Sequence, residues 1–273
     1  MSPRARGRSA ARIGSEQVAR RGFTLVELLV VIGIIGLLMS ILLPTLGRVK
    51  EQANSIKCRS NQRQVYLAAR IFVDQTGYWP RGAKVWEGAT TANANDIEKS
   101  AAWLMRGNGD AGVADFDKGC IMNSLDPSLQ GRAAVMKCPS DDGSDPLRYG
   151  GVQTVDRNFS YSINGNVNDR GTTSGNVQWG IKAARVVNPT DKIYLYEELA
   201  PNDGYCLNPG TNSDDWPSGR HGGRSRDPNA GIKDVKGMGN YCFFDGHVET
   251  LSVEEIIGST KTYRYDLYQK VNN

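Results

Sequence analysis

The sequence predicts an α+β fold: one very long N-terminal helix, membrane-spanning in its first half, packed on an antiparallel β-sheet with long loops. Three observations predict it. Leu28 to Gly47 (LLVVIGIIGLLMSILLPTLG) is a run of 20 residues without a charge, enough helix to cross the roughly 30 Å hydrocarbon core of a bilayer. From Val49 to Phe72 there is neither Gly nor Pro, and good helix formers dominate, so the helix should continue well past the apolar run. Late in the chain, two β-prone stretches flank an Asp245-Gly246 pair, which reads as a hairpin.

Taken in order, residues 1–22 form a basic leader with six arginines (4, 6, 8, 12, 20 and 21) and one acid, Glu16. Such a composition does not bury enough apolar surface to fold. Residues 23–47 are the apolar helix, with Glu27 at its N-terminal edge and Pro44 near its end. Pro44 lacks an N–H and crowds the preceding turn, so a kink or a locally unwound turn is expected there. Residues 48–273 are a globular domain that opens with helix to about residue 76. Val49, Ala53, Ile56, Val65, Ala68 or Ala69, and Phe72 recur at helical spacing and mark its expected buried face. Thr76-Gly77 and then Pro80 end it. Ser100–Met105 reads as a short helix, and Lys192–Glu197 as a strand. Around Asp245-Gly246 a two-residue type I′ turn is expected, with both turn residues at positive φ and with Phe243 or Phe244 buried against the long helix. Residues 82–190 and 200–238 read as loop-rich, from their Gly, Asn and Asp punctuation.

The net charge is +4. The leader alone carries +5, which leaves about −1 for the rest. The basic excess is therefore an orientation signal that keeps the leader on the cytoplasmic side, and a nucleic-acid partner is not indicated.

The run Arg20-Arg21-Gly22-Phe23-Thr24-Leu25-Val26-Glu27, with Pro44 downstream, resembles the type IV prepilin family, which includes the pseudopilins of type II secretion. The resemblance implies a pilin-like fold and cleavage between Gly22 and Phe23 by a prepilin peptidase that also N-methylates Phe23. It further implies pairing of Glu27 with the new amino terminus of a neighbouring subunit. Partners would be like subunits in a helical fibre and the inner-membrane assembly machinery. The expected location is the inner membrane, single-pass, with the C-terminal domain periplasmic or extracellular and then fibre-associated. A secretory signal peptide would have a shorter apolar region and a small-residue cleavage site after it; Leu43–Arg48 offers none. A plain anchor leaves the acid unexplained, since an ionisable group at a membrane helix is costly and usually partnered.

Further pieces, Cys58–Gln64, Cys138-Pro139-Ser140-Asp141, and His221 followed by Asp245-Gly246, resemble the prepilin-like proteins of planctomycete-type bacteria with a C-terminal His–spacer–Asp-Gly processing-associated motif. The family's spacer is short. Here 23 residues separate His221 from Asp245, so an inserted loop is expected at Arg224–Met238.

Five cysteines, at 58, 120, 138, 206 and 242, would meet an oxidising compartment if exported. Spacing leaves their connectivity open; the resemblance favours Cys58 with Cys138, against the reading that all are small buried residues or free thiols. Two histidines and no C-x-x-C pair speak against zinc, so no metal site is expected. Asp141-Asp142-Gly143-Ser144-Asp145 gathers calcium-type oxygens, and some pseudopilins bind calcium. No EF-hand spacing is present, and a solvated acidic turn is the favoured reading. Arg220–Arg226 reads as a solvated basic loop. The five tryptophans read as core or partner contacts rather than glycan platforms.

Together these observations indicate a non-enzymatic prepilin-like subunit without a cofactor. Two rivals from other classes are a membrane-tethered module binding glycans or cell-wall polymer, and a metal-dependent hydrolase around His221, His247 and Asp245.

Overall fold

The computed structural model describes residues 23–81, 105–106, 114–115, 119–141, 159–167, 180–198, 205–206, 217–222 and 237–257. The fold is α+β, and the chain divides into two compact units, Met1–Gly47 and Arg48–Asn273.

Helix α1 spans Leu25–Thr76, 52 residues. Its start is set by a capping box: the backbone N–H and hydroxyl of Thr24 both donate to Glu27 Oε2 at 2.8 Å, and the Glu27 N–H donates back to Thr24 Oγ1 at 3.3 Å. Orphan amides of the first turn are thereby satisfied reciprocally. Within the first unit every residue from Phe23 to Gly47 is exposed, and the apolar helix is long enough to cross a membrane. Helical structure is unbroken at Pro44, so the unwound turn is not found.

In the second unit, the expected face of α1 is half right. Val65, Ala68 and Ala69 are buried, but Val49, Ala53 and Ile56 are exposed. The buried side of that stretch is instead polar, made by Cys58, Asn61 and Gln62. Apolar periodicity points to the wrong face wherever the face turned inward is built from hydrogen-bonding groups. The helix ends at Thr76, followed by Gly77 at φ 78°, a left-handed stop that glycine adopts without strain.

Strands β1 (Met105–Arg106) and β2 (Ala114–Asp115) form a small antiparallel pair. Of the expected helix at Ser100–Met105, residues 100–104 lie outside the described residues, and Met105 is in β1. The main sheet contains β3 (Tyr161–Asn164), β4 (Ile193–Glu197), β5 (Tyr205–Cys206), β6 (Met238–Phe243) and β7 (Val248–Ser252), in the order β5-β3-β4-β6-β7. Four strands pair antiparallel, and β5 adds to β3 in parallel. Strand β3 and the short helices Met122–Leu125 and Leu129–Met136 fall in a region read as loop. The alternation Tyr161-Ser162-Ile163-Asn164 was the signal for β3.

The sheet is covered on both faces. Tyr161, Ile163, Tyr194, Leu195, Cys242 and Phe244 pack in one core with Val65, Ala68, Ala69 and Val73 of α1. Ile193, Tyr196, Tyr241, Phe243, Leu251 and Ile256 form a second core. A register shift between Ile193 and Leu195 places the consecutive residues Tyr194 and Leu195 in the same core, as a bulge does. Trp79 is buried between Tyr194 and Phe244, with ring centroids 4.7 and 4.8 Å away; such pairs add about 0.5–1.5 kcal/mol beyond their burial. The other four tryptophans lie outside the described residues.

The hairpin joining β6 and β7 differs from the expected turn. The Gly246 N–H donates to the Phe243 carbonyl and the Phe243 N–H to the His247 carbonyl, each at 2.9 Å. Only Gly246 has positive φ, 93°. The loop is therefore three residues, Phe244–Gly246, with the pattern of a turn closed by one left-handed glycine. One such residue suffices to return the strand, which frees Asp245 from the costly conformation. Phe244 faces the α1 core, and Phe243 lies in the other.

Candidate functional site

Three residues of α1 at four-residue steps dock it on the sheet. The Cys58 thiol donates to Glu197 Oε1 of β4 at 2.7 Å, Gln62 Nε2 to the Asn240 carbonyl of β6 at 2.8 Å, and the Tyr66 hydroxyl to the Phe244 carbonyl at 3.0 Å. Such spacing puts the three groups on one side of the helix. The first of these contacts belongs to a buried polar centre.

Each member of that centre arrives from a different element. Cys58 comes from α1. Cys138 follows the helix Leu129–Met136, whose last turn is capped by Asn61 of α1: Asn61 Nδ2 donates to the carbonyls of Ala134 and Lys137 at 3.1 Å each. Carbonyls that a helix end leaves orphaned are thus satisfied, and Cys138 is set against α1. Its N–H donates to Ser160 Oγ at 2.9 Å. Glu197 is the last residue of β4. His221 is held by paired backbone hydrogen bonds with Met238, at 2.9 and 2.8 Å. The expected insertion thus leaves and re-enters the fold at one point, and Met238 belongs to β6, not to the loop. Residues 223–236 lie outside the described residues.

The donor atoms of Cys58, Cys138, Glu197 and His221 all lie within 4.8 Å of one another. His221 Nε2 is 3.5 Å from Cys138 Sγ and 3.2 Å from Glu197 Oε1. His221 Nδ1 is 2.7 Å from Glu51 Oε1, so the ring is clamped from behind. The four residues are 0, 1, 0 and 1% exposed. Around them, the Tyr161 hydroxyl donates to Cys58 Sγ at 3.4 Å, and the Asn240 N–H to Glu197 Oε2 at 3.4 Å.

The electrostatics follow from this enclosure. Burial alone would push the Glu197 carboxyl up, but His221 and Arg220 outweigh it and hold it at about 2. Burial likewise opposes the charge on His221, and Cys138 and Glu197 reverse that and raise it to about 11. Burial pushes the Cys58 thiol well up, whereas hydrogen bonding from Cys58 lowers Cys138. Without a further cation, the centre is an ion pair inside the protein, with two thiols against it.

Several expected roles change here. Cys58 and Cys138 are free thiols side by side, not a disulfide; Cys120 and Cys242 are free as well, and the Cys206 side chain lies outside the described residues. Asp141 is not in a solvated turn: it is buried, accepts from Ser160 Oγ at 2.7 Å and pairs with Arg220 at 3.3 Å. Arg220 is correspondingly no solvated loop residue. Asp142–Asp145 lie outside the described residues. Asp245 is not brought to His221. It sits in the hairpin turn with His247 Nδ1 at 2.6 Å, next to Tyr66, whereas His221 contacts Glu51, 15 positions earlier on α1 and roughly 22 Å away along its axis. A hydrolase centre shared by His221 and Asp245 has no geometric basis. Glu51 and Glu197 escaped the sequence reading because no local motif marks them: the partners Cys58 and Glu197 are 139 positions apart, and Cys138 and His221 are 83.

At the N-terminus, residues 18–43 match the prokaryotic N-terminal methylation motif, the prepilin-type signal. Neither a curated protein nor a solved structure matches the chain.

Proposed function

We propose that the chain is a prepilin-like subunit, cleaved between Gly22 and Phe23, N-methylated on Phe23, and assembled into a type IV pilus-like or type II secretion pseudopilus fibre. The observation that carries this reading is the methylation motif at residues 18–43, set on an apolar helix exposed along its whole first unit. So much exposed apolar surface requires a cover. A bilayer covers it before cleavage, and the apolar helices of like subunits cover it in a fibre. The capping box survives cleavage, since Thr24 and Glu27 both stay on the mature side. It engages only Oε2 of the Glu27 carboxylate. Oε1 then serves a neighbouring subunit's amino terminus. The domain after Gly47 is exported, decorates the fibre and acts without catalysis.

Mass spectrometry of the protein co-expressed with a prepilin peptidase tests the first step. The mature chain should begin at a methylated Phe23. Gly22→Ala should slow processing, and bulkier residues at 22 should leave the leader attached. A chain that begins at Met1, or beyond residue 40, excludes the reading.

A further inference from the structure

We propose that Cys58, Cys138, Glu197 and His221 form a buried structural site for a divalent cation of the zinc class. Two sulfurs, one imidazole nitrogen and one carboxylate oxygen converge within 4.8 Å. This mixed sulfur, nitrogen and oxygen set is the one zinc favours; calcium and magnesium prefer oxygen alone.

The spacing supports tetrahedral coordination. With metal–sulfur bonds of about 2.3 Å and metal–nitrogen or –oxygen bonds of about 2.0 Å, sulfur and nitrogen ligands stand about 3.5 Å apart, and nitrogen and oxygen about 3.3 Å. The corresponding separations here are 3.5 Å for Cys138 Sγ to His221 Nε2 and 3.2 Å for His221 Nε2 to Glu197 Oε1. Cys58 Sγ and Glu197 Oε1, at 2.7 Å, are closer than the roughly 3.5 Å of tetrahedral sulfur and oxygen ligands and separate by somewhat under 1 Å when the ion enters.

The surroundings match as well. His221 Nδ1 faces the Glu51 carboxylate at 2.7 Å, which fixes the tautomer with Nε2 aimed at the other three donors. This is the carboxylate–histidine arrangement found behind metal-bound imidazoles. Tyr161 and Gln62 direct donors at Cys58 Sγ, at 3.4 and 3.9 Å, where they stabilise thiolate charge. Entry of the ion displaces to solvent the protons held by the thiols and by Nε2; Glu197 binds as the carboxylate. Two thiolates and one carboxylate leave the occupied site at −1, with Arg220 next in sequence to His221 and paired to Asp141.

All four ligands are enclosed and none leaves an open position, so the site is structural rather than catalytic. It would cross-link α1, the segment after Leu129–Met136, the end of β4 and the 217–221 segment. Those pieces are joined by the long connections of the domain.

The test uses the full chain purified in detergent. Elemental analysis should give one zinc per chain. After chelation, titration with cobalt should produce a thiolate-to-cobalt charge-transfer band that zinc abolishes. Cys138→Ala and His221→Ala should lose the metal, and Cys242→Ala, a buried thiol outside the cluster, should retain it. Glu51→Ala, a positioning residue at the partly exposed rim, should weaken zinc affinity about 10–100-fold while leaving the cobalt–thiolate band present at saturation. The cobalt titration needs no variant, so a misfolded variant does not obscure the result. A Cys58–Cys138 disulfide by mass spectrometry overturns the proposal. So does a chain with free thiols that takes up neither metal, or metal retained in both Cys138→Ala and His221→Ala.

Discussion

Glu27→Ala and Glu27→Gln are both expected to reach the membrane and both to fail in fibre assembly. Insertion should improve slightly, because a charge leaves the apolar segment. Assembly should fall because each incoming Phe23 amino group would be buried without its counter-ion. Breaking a buried pair costs about 3–5 kcal/mol, and every 1.4 kcal/mol is about tenfold in an equilibrium, so incorporation should drop roughly 100-fold or more. The two variants separate the capping role that the structure gives Glu27 from the counter-ion role proposed for it. Alanine removes both the charge and the Thr24 capping box. Glutamine keeps a residue able to complete the box and removes only the charge. Immunoblots of sheared fibres and of membranes measure both steps. If Glu27→Gln assembles normally while Glu27→Ala does not, the fibre needs the helix cap and the proposed pairing is wrong.

Gly246→Val should lower the stability of the domain after Gly47. The residue sits at φ 93°, where a β-branched side chain is strained by about 1–3 kcal/mol. A Cβ there would also lie 2.4 Å from Tyr66 Cε1. Tyr66 cannot retreat freely, because it packs 6.0 Å from Trp79 and its hydroxyl donates to the Phe244 carbonyl; overpacking of this kind adds about 1–3 kcal/mol. A total near 3 kcal/mol corresponds to a drop of roughly 6–12 °C in Tm for a domain of this size. Asp245→Asn should change Tm little, since Asp245 is not in the left-handed region and an amide oxygen can still accept from the His247 N–H, as Asp245 Oδ1 does at 3.1 Å. Near-UV circular dichroism of the full chain in detergent reads both. An unchanged Tm for Gly246→Val would mean that the hairpin does not pack on α1 as described.

The long helix and the hairpin were legible because their causes are local. A charge-free run, the absence of Gly and Pro through residue 72, and the Thr76-Gly77 stop act within a few turns. The Thr24–Glu27 box is equally local, a Thr-x-x-Glu spacing at the start of the apolar run. The strand at Ile193–Glu197 announced itself by β-branched and aromatic residues. By contrast, apolar periodicity does not reveal the inward face of α1 near Cys58, because the groups buried there are held by hydrogen bonds to Glu197, Asn240 and the Leu129–Met136 helix end.

The sequence by itself determined what depends on neighbours in the chain: an N-terminal processing signal, an apolar helix long enough to span a bilayer, and the strands that would lie against its continuation. Only the tertiary structure decided that Cys58, Cys138, Glu197 and His221 converge. Cys58, Cys138 and His221 stand out in the sequence only by resemblance, and no spacing rule links them to Glu197. A helix, a helix end, a strand end and a bridge beside β6 bring them to one point where water is excluded. There charge must be matched by charge or by a metal, and that requirement is a property of the packed interior, which the chain acquires on folding.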